Sequence, residues 1–410
     1  MEIISARWII PVAIPAIDDG SLVVADGRIV DIGRRPDILN KYQGIAECRY
    51  DSVLMPGLVN AHMHLELSHV QDIVRPPADN RFTDWISELL KKRQEATEDR
   101  SLVVGAITAA LSDQYASGVA LVADIGNEFF PELSGERADG WPELLRMLEF
   151  LAPNRQALLT AKEKIANLPD CQPICVHAPY SSGPDLLVFA KERCRHLGHL
   201  FSVHAAESAA ELEFLRSGTG CFRDFLEQRK SWDGTFSFAE QGFEGTIFYF
   251  DHLGVLDETT LLVHAVHVSQ LEVLLVAERG AHICLCPGSN RFLGVGRAPV
   301  EQMLVAGIIP ALGTDSPASN STIDLWHEMQ LLAAEHSQVT HESILAMATL
   351  GGAQAFRRAD DYGSLTPGRM SQILRVSSPA LTRCNDMRRI VQELVTGGRP
   401  SEISWISTHH

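Results

Sequence analysis

No run of apolar residues in this chain reaches the ~18 to 20 that a membrane-spanning helix needs. No glycine-rich phosphate loop of either common type opens a helix, which weakens any nucleotide-cofactor reading. Cysteine is sparse, 8 in 410 residues, and neither half of a paired C-x-x-C zinc ribbon is present. Cys171/Cys175 and Cys284/Cys286 fall in apolar stretches that read as strands, so buried free thiols in a reducing cytoplasm are expected. Basic residues are outnumbered, 35 Lys and Arg against 52 Asp and Glu, and the net charge of -17 argues against nucleic acid or an anionic membrane as a partner. The first residues carry Glu2 and Arg7 and are broken by Pro11 and Pro15, unlike a signal peptide, so the expected location is cytoplasmic.

The length favours one large barrel or two domains. Residues 1–53 alternate short β-type runs with turns, among them Asp26-Gly27 between apolar runs, a strong hairpin signal. From residue 54 strand and helix alternate. Strand candidates are 54–62, 119–124, 144–151, 174–177, 200–204, 260–264, 282–286 and 309–314. Helical stretches at 85–96, 101–117, 155–168, 185–196, 269–279 and 300–306 lie between them. Eight strands alternating with helices is the count of a (β/α)8 barrel of the α/β class. The expected boundaries are a barrel over 54–357 and a small composite β-sandwich domain built from both termini, 1–53 with 358–400. A stretch at 217–257, rich in phenylalanine and poor in periodicity, falls where catalytic-face loops emerge and reads as a lid-like insertion. Residues 405–410 read as a frayed tail.

The chemistry concentrates at predicted strand ends, where barrel active sites are built. In Met55-Pro-Gly-Leu-Val-Asn-Ala-His-Met-His64, residues i and i+2 of a strand share a face, so His62 and His64 aim two imidazoles at one point. His204 ends the fifth strand, and Glu207, three residues on, falls in the loop over the site, where a proton shuttle belongs. His264 and His267 are three apart, so only one of them faces inward. Asp315, in Leu312-Gly-Thr-Asp315, ends the eighth strand and can bind a metal or accept a proton. Three histidines and an aspartate around an open position make a catalytic rather than a structural metal site. A divalent metal there lowers the pKa of bound water from about 15.7 to about 7, which makes hydrolysis the natural reaction. Glu66, two past His64, either lines the substrate bowl or simply ends the strand.

These motifs, with Ala25-Asp-Gly-Arg-Ile-Val30, His177-Ala-Pro-Tyr180 and Cys286-Pro-Gly-Ser-Asn290, resemble those of the amidohydrolase superfamily, in its aromatic deaminase and chlorohydrolase branch. The resemblance spans nearly the whole chain. It implies the barrel with its terminal β-domain and one divalent metal, zinc or else iron(II), on His62, His64, His204 and Asp315. Residues 171–180 lack the lysine that is carboxylated in two-metal members, which favours one ion. It further implies that His264 and Asp315 take protons from the water and that Glu207 protonates the ring nitrogen beside the attacked carbon. His177 would contact the ring, and Ser319 matches a position that also touches the base. The implied reaction is hydrolytic deamination of an aminated heterocycle held as a small-molecule substrate. The chain looks most like enzymes acting on 6-aminodeoxyfutalosine, an adenine nucleoside of menaquinone biosynthesis. Enzymes acting on S-adenosylhomocysteine, methylthioadenosine, adenosine or guanine are close behind. The alternatives are an aromatic chlorohydrolase and a non-catalytic metal-binding barrel. Relatives commonly form homo-oligomers. One departure stands out: Gly288 occupies a position where the family often has arginine.

Overall fold

The computed structural model describes residues 1–70, 82–96, 100–128, 130, 139–234 and 242–406. Six strands from both ends of the chain make one sheet in the order β14-β13-β4-β1-β2-β3. They are β1 (Glu2–Ile9), β2 (Ile17–Ala25), β3 (Arg28–Arg34), β4 (Glu47–Pro56), β13 (Ile373–Ser377) and β14 (Glu402–Trp405). Ala25 pairs with Arg28 across a two-residue turn in which Asp26 and Gly27 both have positive φ, 50° and 71°. That is the geometry for which an Asp-Gly pair is selected in hairpins.

The stretch expected as one strand, 54–62, is two. β4 runs to Pro56 in the terminal sheet, and β5 (Leu58–Met63) begins the barrel. Gly57 is the joint. A side chain there would come within 2.6 Å of Ala120 and 2.7 Å of the Trp405 ring, so the chain can cross between sheets only without one. Residues 405 and 406 are accordingly not frayed. Trp405 stacks on Tyr115 at 5.1 Å and its indole N–H donates to the Tyr115 carbonyl at 3.1 Å, because the joint needs an apolar cover. Residues 407–410 lie outside the described residues.

The barrel consists of two parallel arcs of four strands each. The first is β5, β6 (Val119–Gly126), β7 (Glu143–Phe150) and β8 (Ile174–Val176). The second is β9 (Phe201–Ala205), β10 (Thr260–His264), β11 (His282–Leu285) and β12 (Ala311–Leu312). Main-chain bonds close both seams. At β8/β9 the His204 N–H donates to the His177 carbonyl (2.9 Å), and at β12/β5 the N–H groups of Thr314 and Asp315 both donate to the His62 carbonyl (3.1 and 3.0 Å). The result is a (β/α)8 barrel. Alternate strand residues, including Ala61, Ala123, Met147, Cys175, Val263, Cys284 and Ala311, form small buried clusters that share Phe356. All eight cysteines are free, and Cys175, Cys284 and Cys286 are buried. Cys171 is instead exposed, since it precedes β8 rather than lying in it.

Helix Gln270–Arg279 opens on a capping box of Ser269 and Glu272, where the sequence places a helix start. The 217–257 stretch holds more regular structure than its sequence suggests, with helices Cys221–Gln228 and Thr246–His252; its residues 235–241 lie outside the described residues. Among the described residues no helix is long and apolar enough to cross a membrane.

Candidate active site

β5 delivers His62 at its buried end, and His64 follows just before a 3-10 turn, Leu65–Leu67. Their rings lie 4.8 Å apart, and the His204 ring from β9 is 4.9 Å from His62 and 5.6 Å from His64. One ring nitrogen from each of the three lies within 4.8 Å of the others. Asp315 Oδ1 approaches His62 Nε2 at 3.7 Å and His64 Nε2 at 3.5 Å. Neither nitrogen of buried His62 has a hydrogen-bond partner. Polar atoms buried in that way are costly unless something binds them. Burial and the His62 ring bring His64 down to about 3, and burial and the neighbouring imidazoles hold His204 well below its ordinary value. Neutral imidazoles with free lone pairs beside a carboxylate fit a divalent metal.

Each of these groups is braced from behind. His204 Nδ1 bonds the His177 carbonyl at 2.8 Å, leaving its other nitrogen for an ion. Asp315 Oδ2 accepts from Ser289 Oγ (2.6 Å) and Ser319 Oγ (2.8 Å). Asp315 sits at φ 56° and His264 at 74°, in the left-handed region that costs an ordinary residue free energy. A second cluster, Glu149 with His177 and His204, also has ligand-type atoms within 4.8 Å. It shares His204, whose one nitrogen not bonded to the His177 carbonyl could serve only one ion at a time.

Beyond β9 the chain turns at Ala206, φ 52°, and this turn swings Glu207 over the site. The turn is pinned by Glu211, which accepts from the N–H of Ala206 (2.7 Å), the N–H of Glu207 (3.2 Å) and Thr246 Oγ1 (2.7 Å). Glu207 Oε1 stands 3.6 Å from His264 Nε2. Burial, reinforced by Asp315 and Glu211, pushes the Glu207 carboxyl well above the ordinary range, while burial brings His264 down to about 4. Burial thus favours the protonated form of the Glu207 carboxyl and the neutral form of the His264 imidazole, the directions that suit an acid and a base. His264 Nδ1 bonds Asn290 Oδ1 at 2.9 Å, so Nε2 is the nitrogen left for chemistry. Of the two histidines three apart, His264 faces inward, and His267 Nε2 instead bonds the Val295 carbonyl at 2.7 Å.

His64, His204, Glu207, His264 and Asp315 line a cavity of about 260 Å³. His177, brought down to about 4 by burial, lines it and is fixed by Ser181 Oγ at 2.7 Å from Nδ1. Ser316 lines the cavity, whereas Ser319 stands behind Asp315 and turns its hydroxyl to that carboxylate. Glu66 lines the cavity from the 3-10 turn, with Arg93 Nη2 at 2.7 Å and the Asn127 N–H at 2.8 Å. The walls are apolar: Phe82, Trp85, Ile86 and Leu89 from helix Phe82–Ala96, then Tyr180, Phe225 and Leu226. Sequence reasoning missed these walls, because helical periodicity marks an apolar face without saying what it covers. It also missed Glu149 and Asn127; the available signal was a carboxylate at the buried C-terminal end of β7.

A family model described as the amidohydrolase family matches residues 53–392. A 5-methylthioadenosine/S-adenosylhomocysteine deaminase from Nitratidesulfovibrio vulgaris is 29% identical over 370 residues, covering 83% of this chain and 75% of that protein. The crystal structure of Helicobacter pylori aminofutalosine deaminase in complex with methylthio-coformycin superposes with a TM-score of 0.80 at 24% identity, covering 98% of this chain and 97% of that one. An adenosine deaminase from Xanthomonas campestris with bound zinc gives 0.75 at 21% identity, with 98% and 91% covered. At those identities the structural likeness is one of fold.

Proposed function

The chain belongs to the amidohydrolase family, and from that premise we propose that it is a metal-dependent hydrolytic deaminase acting on an adenine nucleoside. 6-Aminodeoxyfutalosine, methylthioadenosine and S-adenosylhomocysteine are the candidate substrates. The observation that carries this reading is the facing pair Glu207 and His264, 3.6 Å apart beside an imidazole cluster, where burial favours the protonated carboxyl and the neutral imidazole. The nucleoside deaminases among its relatives and structural neighbours support it.

His62, His64, His204 and Asp315 would hold one divalent ion, zinc or iron(II), and such an ion supplies water acidified enough to act as a nucleophile at neutral pH. The chain's own residues do the rest. His177 holds the heterocycle against the histidine cluster, and the apolar wall of Trp85, Leu89 and Phe225 excludes bulk water. Glu207 delivers its proton to the ring nitrogen beside the attacked carbon, which neutralises charge as it develops there. His264 Nε2 and Asp315 take the two protons released by the water; one passes to the amino group, which leaves as ammonia, and the other restores the proton that Glu207 gave up. Within the 217–257 insertion, helix Cys221–Gln228 serves as a cover of this cavity, since its Phe225 and Leu226 are part of the wall.

The test is ammonia release from metal-loaded protein given each candidate nucleoside, adenosine and a halogenated triazine. Release from at least one nucleoside is expected, and Glu207→Gln should keep its metal yet lose turnover by roughly 10²- to 10⁴-fold. No ammonia from any nucleoside overturns the reading, and chloride release from the triazine alone replaces it with dechlorination.

A further inference from the structure

One carboxyl oxygen in the cavity has no role in the reaction above. Glu149 lies two residues beyond Met147 on β7, on the face that turns into the barrel, and is only 8% exposed. Its Oε2 accepts from Asn127 Nδ2 at 3.0 Å, and the same amide donates to the Glu149 carbonyl at 3.1 Å. Its Oε1 is buried and has no hydrogen-bond partner. The support beneath it is rigid. Asn127 Oδ1 accepts from Arg93 Nη1 (2.8 Å), its N–H donates to Glu66 Oε2 (2.8 Å), and Arg93 and Glu66 are themselves paired at 2.7 Å. A carboxyl held that firmly, with one acceptor buried and unused, is what a ligand-binding group looks like before its ligand arrives.

Position says which part of a ligand. The ion-binding residues end β5, β9 and β12, and the acid–base pair follows β9 and ends β10. The ends of β6 and β7, where Asn127 and Glu149 border the cavity, carry none of these groups and are open to a substituent of the heterocycle. Glu149 borders the cavity next to His177, the residue against the ring. We propose that Glu149 Oε1 accepts a hydrogen bond from a hydroxyl of the substrate's sugar, making the Asn127–Glu149 wall a pentose subsite beside His177. The proposal rests on the reading that the substrate is a nucleoside. Discrimination then follows from an unpaired buried acceptor: a substrate without that hydroxyl leaves Oε1 desolvated and unsatisfied.

The experiment compares adenosine, 2′-deoxyadenosine, 3′-deoxyadenosine and adenine with metal-loaded wild type and with Glu149→Met, which is close in shape but offers no carboxyl acceptor. One deoxynucleoside should fall below adenosine in kcat/KM by roughly ten- to a hundredfold in the wild type, with the gap shrinking to about threefold or less in the variant. The wild-type comparison stands even if the variant does not fold. Equal kcat/KM for adenosine and both deoxynucleosides overturns the subsite, as does a gap that Glu149→Met leaves intact. Calorimetric binding of the same four compounds separates the two readings. If none is deaminated and the three candidate nucleosides release no ammonia either, yet adenosine binds more tightly than one deoxynucleoside by a margin that Glu149→Met erases, the subsite stands and the deaminase reading falls. If none of the seven is deaminated and no such margin exists, both fall.

Discussion

Replacing Gly288 by alanine tests how the acid–base machinery is held. A Cβ at this position would lie 2.5 Å from Asn320 Nδ2, Asn320 Oδ1 and Glu328 Oε1. Those atoms cannot swing into solvent, because Glu328 is fully buried and Asn320 is 4% exposed. They also have work to do. Glu328 Oε2 accepts from the Gly288 N–H (2.7 Å), and Asn320 Nδ2 donates to Glu328 Oε1 (2.7 Å) and to the Thr314 carbonyl (2.8 Å). Overpacking costs about 1–3 kcal/mol, and losing one hydrogen bond to a buried, uncharged carboxyl adds about 0.5–1.5, so about 1.5–4.5 kcal/mol is expected. For a chain this long, unfolding entropy converts that to a Tm lowered by about 2–5 °C. The catalytic effect arises one residue further on. Helix Pro287–Leu293 carries Ser289 against Asp315 and Asn290 against His264, so a displaced helix turns both. Misplacement by about 1 Å costs on the order of 10²-fold in kcat. Thermal unfolding and steady-state kinetics on metal-loaded Gly288→Ala measure both. A Tm within about 1 °C of wild type together with kcat within about twofold refutes the reasoning. The same crowding accounts for the departure from family pattern at this position: Asn320 and Glu328 fill the space through which an arginine side chain would leave the backbone.

Three further outcomes are expected. Removing metal with a chelator should abolish turnover and lower Tm, with both restored by about one equivalent of zinc or iron(II) per chain, and His64→Ala should bind metal poorly; full activity in metal-free protein contradicts the site. Lys191, 1% exposed, donates to Asp257 Oδ1, Thr259 Oγ1 and Thr260 Oγ1 at 2.5, 2.7 and 2.7 Å, at the start of the strand whose far end is His264. Lys191→Met should therefore cost about 3–5 kcal/mol in urea unfolding with kcat unchanged, and a matching fall in kcat would mean the two barrel ends are coupled. Burial pushes Glu328 up to about 8 from the ordinary 4.5, and Glu211 up to about 7. The native chain then keeps protons that the unfolded chain has released, so this contribution is intact below about pH 4.5 and is lost as pH rises toward 8. Urea unfolding between those values should show stability falling by up to about 5 kcal/mol from Glu328 alone, and a flat profile refutes the assignment.

What was legible in the sequence had a period or a chemical type that only one environment explains. Two histidines at i and i+2 after Pro-Gly, apolar runs spaced by helices, and an Asp-Gly hairpin each carry their meaning locally. What was not legible depended on partners far along the chain. The break of one apolar run into β4 and β5 turns on Gly57 meeting Ala120 and Trp405, which no local pattern announces. Ser319 reads as a substrate contact by motif, yet its nearest acceptor is a carboxylate of its own loop. The choice between His264 and His267 needed only an acceptor for the outward ring, the Val295 carbonyl, and that acceptor lies 28 residues away.

The two seams of the barrel give the site a mechanical meaning as well. His177 and His204 lie at one junction, and His62 and Asp315 at the other. A single ion held by His62, His204 and Asp315 would tie the two arcs to each other, β12 and β5 across one junction and β9 at the other. It would act as a rivet through the hoop rather than a passenger in the bowl. Opening either junction spoils the ligand geometry, and losing the ion frees both junctions to part. The amides of His204, Thr314 and Asp315 are then the protein's own gauge of occupancy, and their hydrogen exchange should quicken together when the ion leaves.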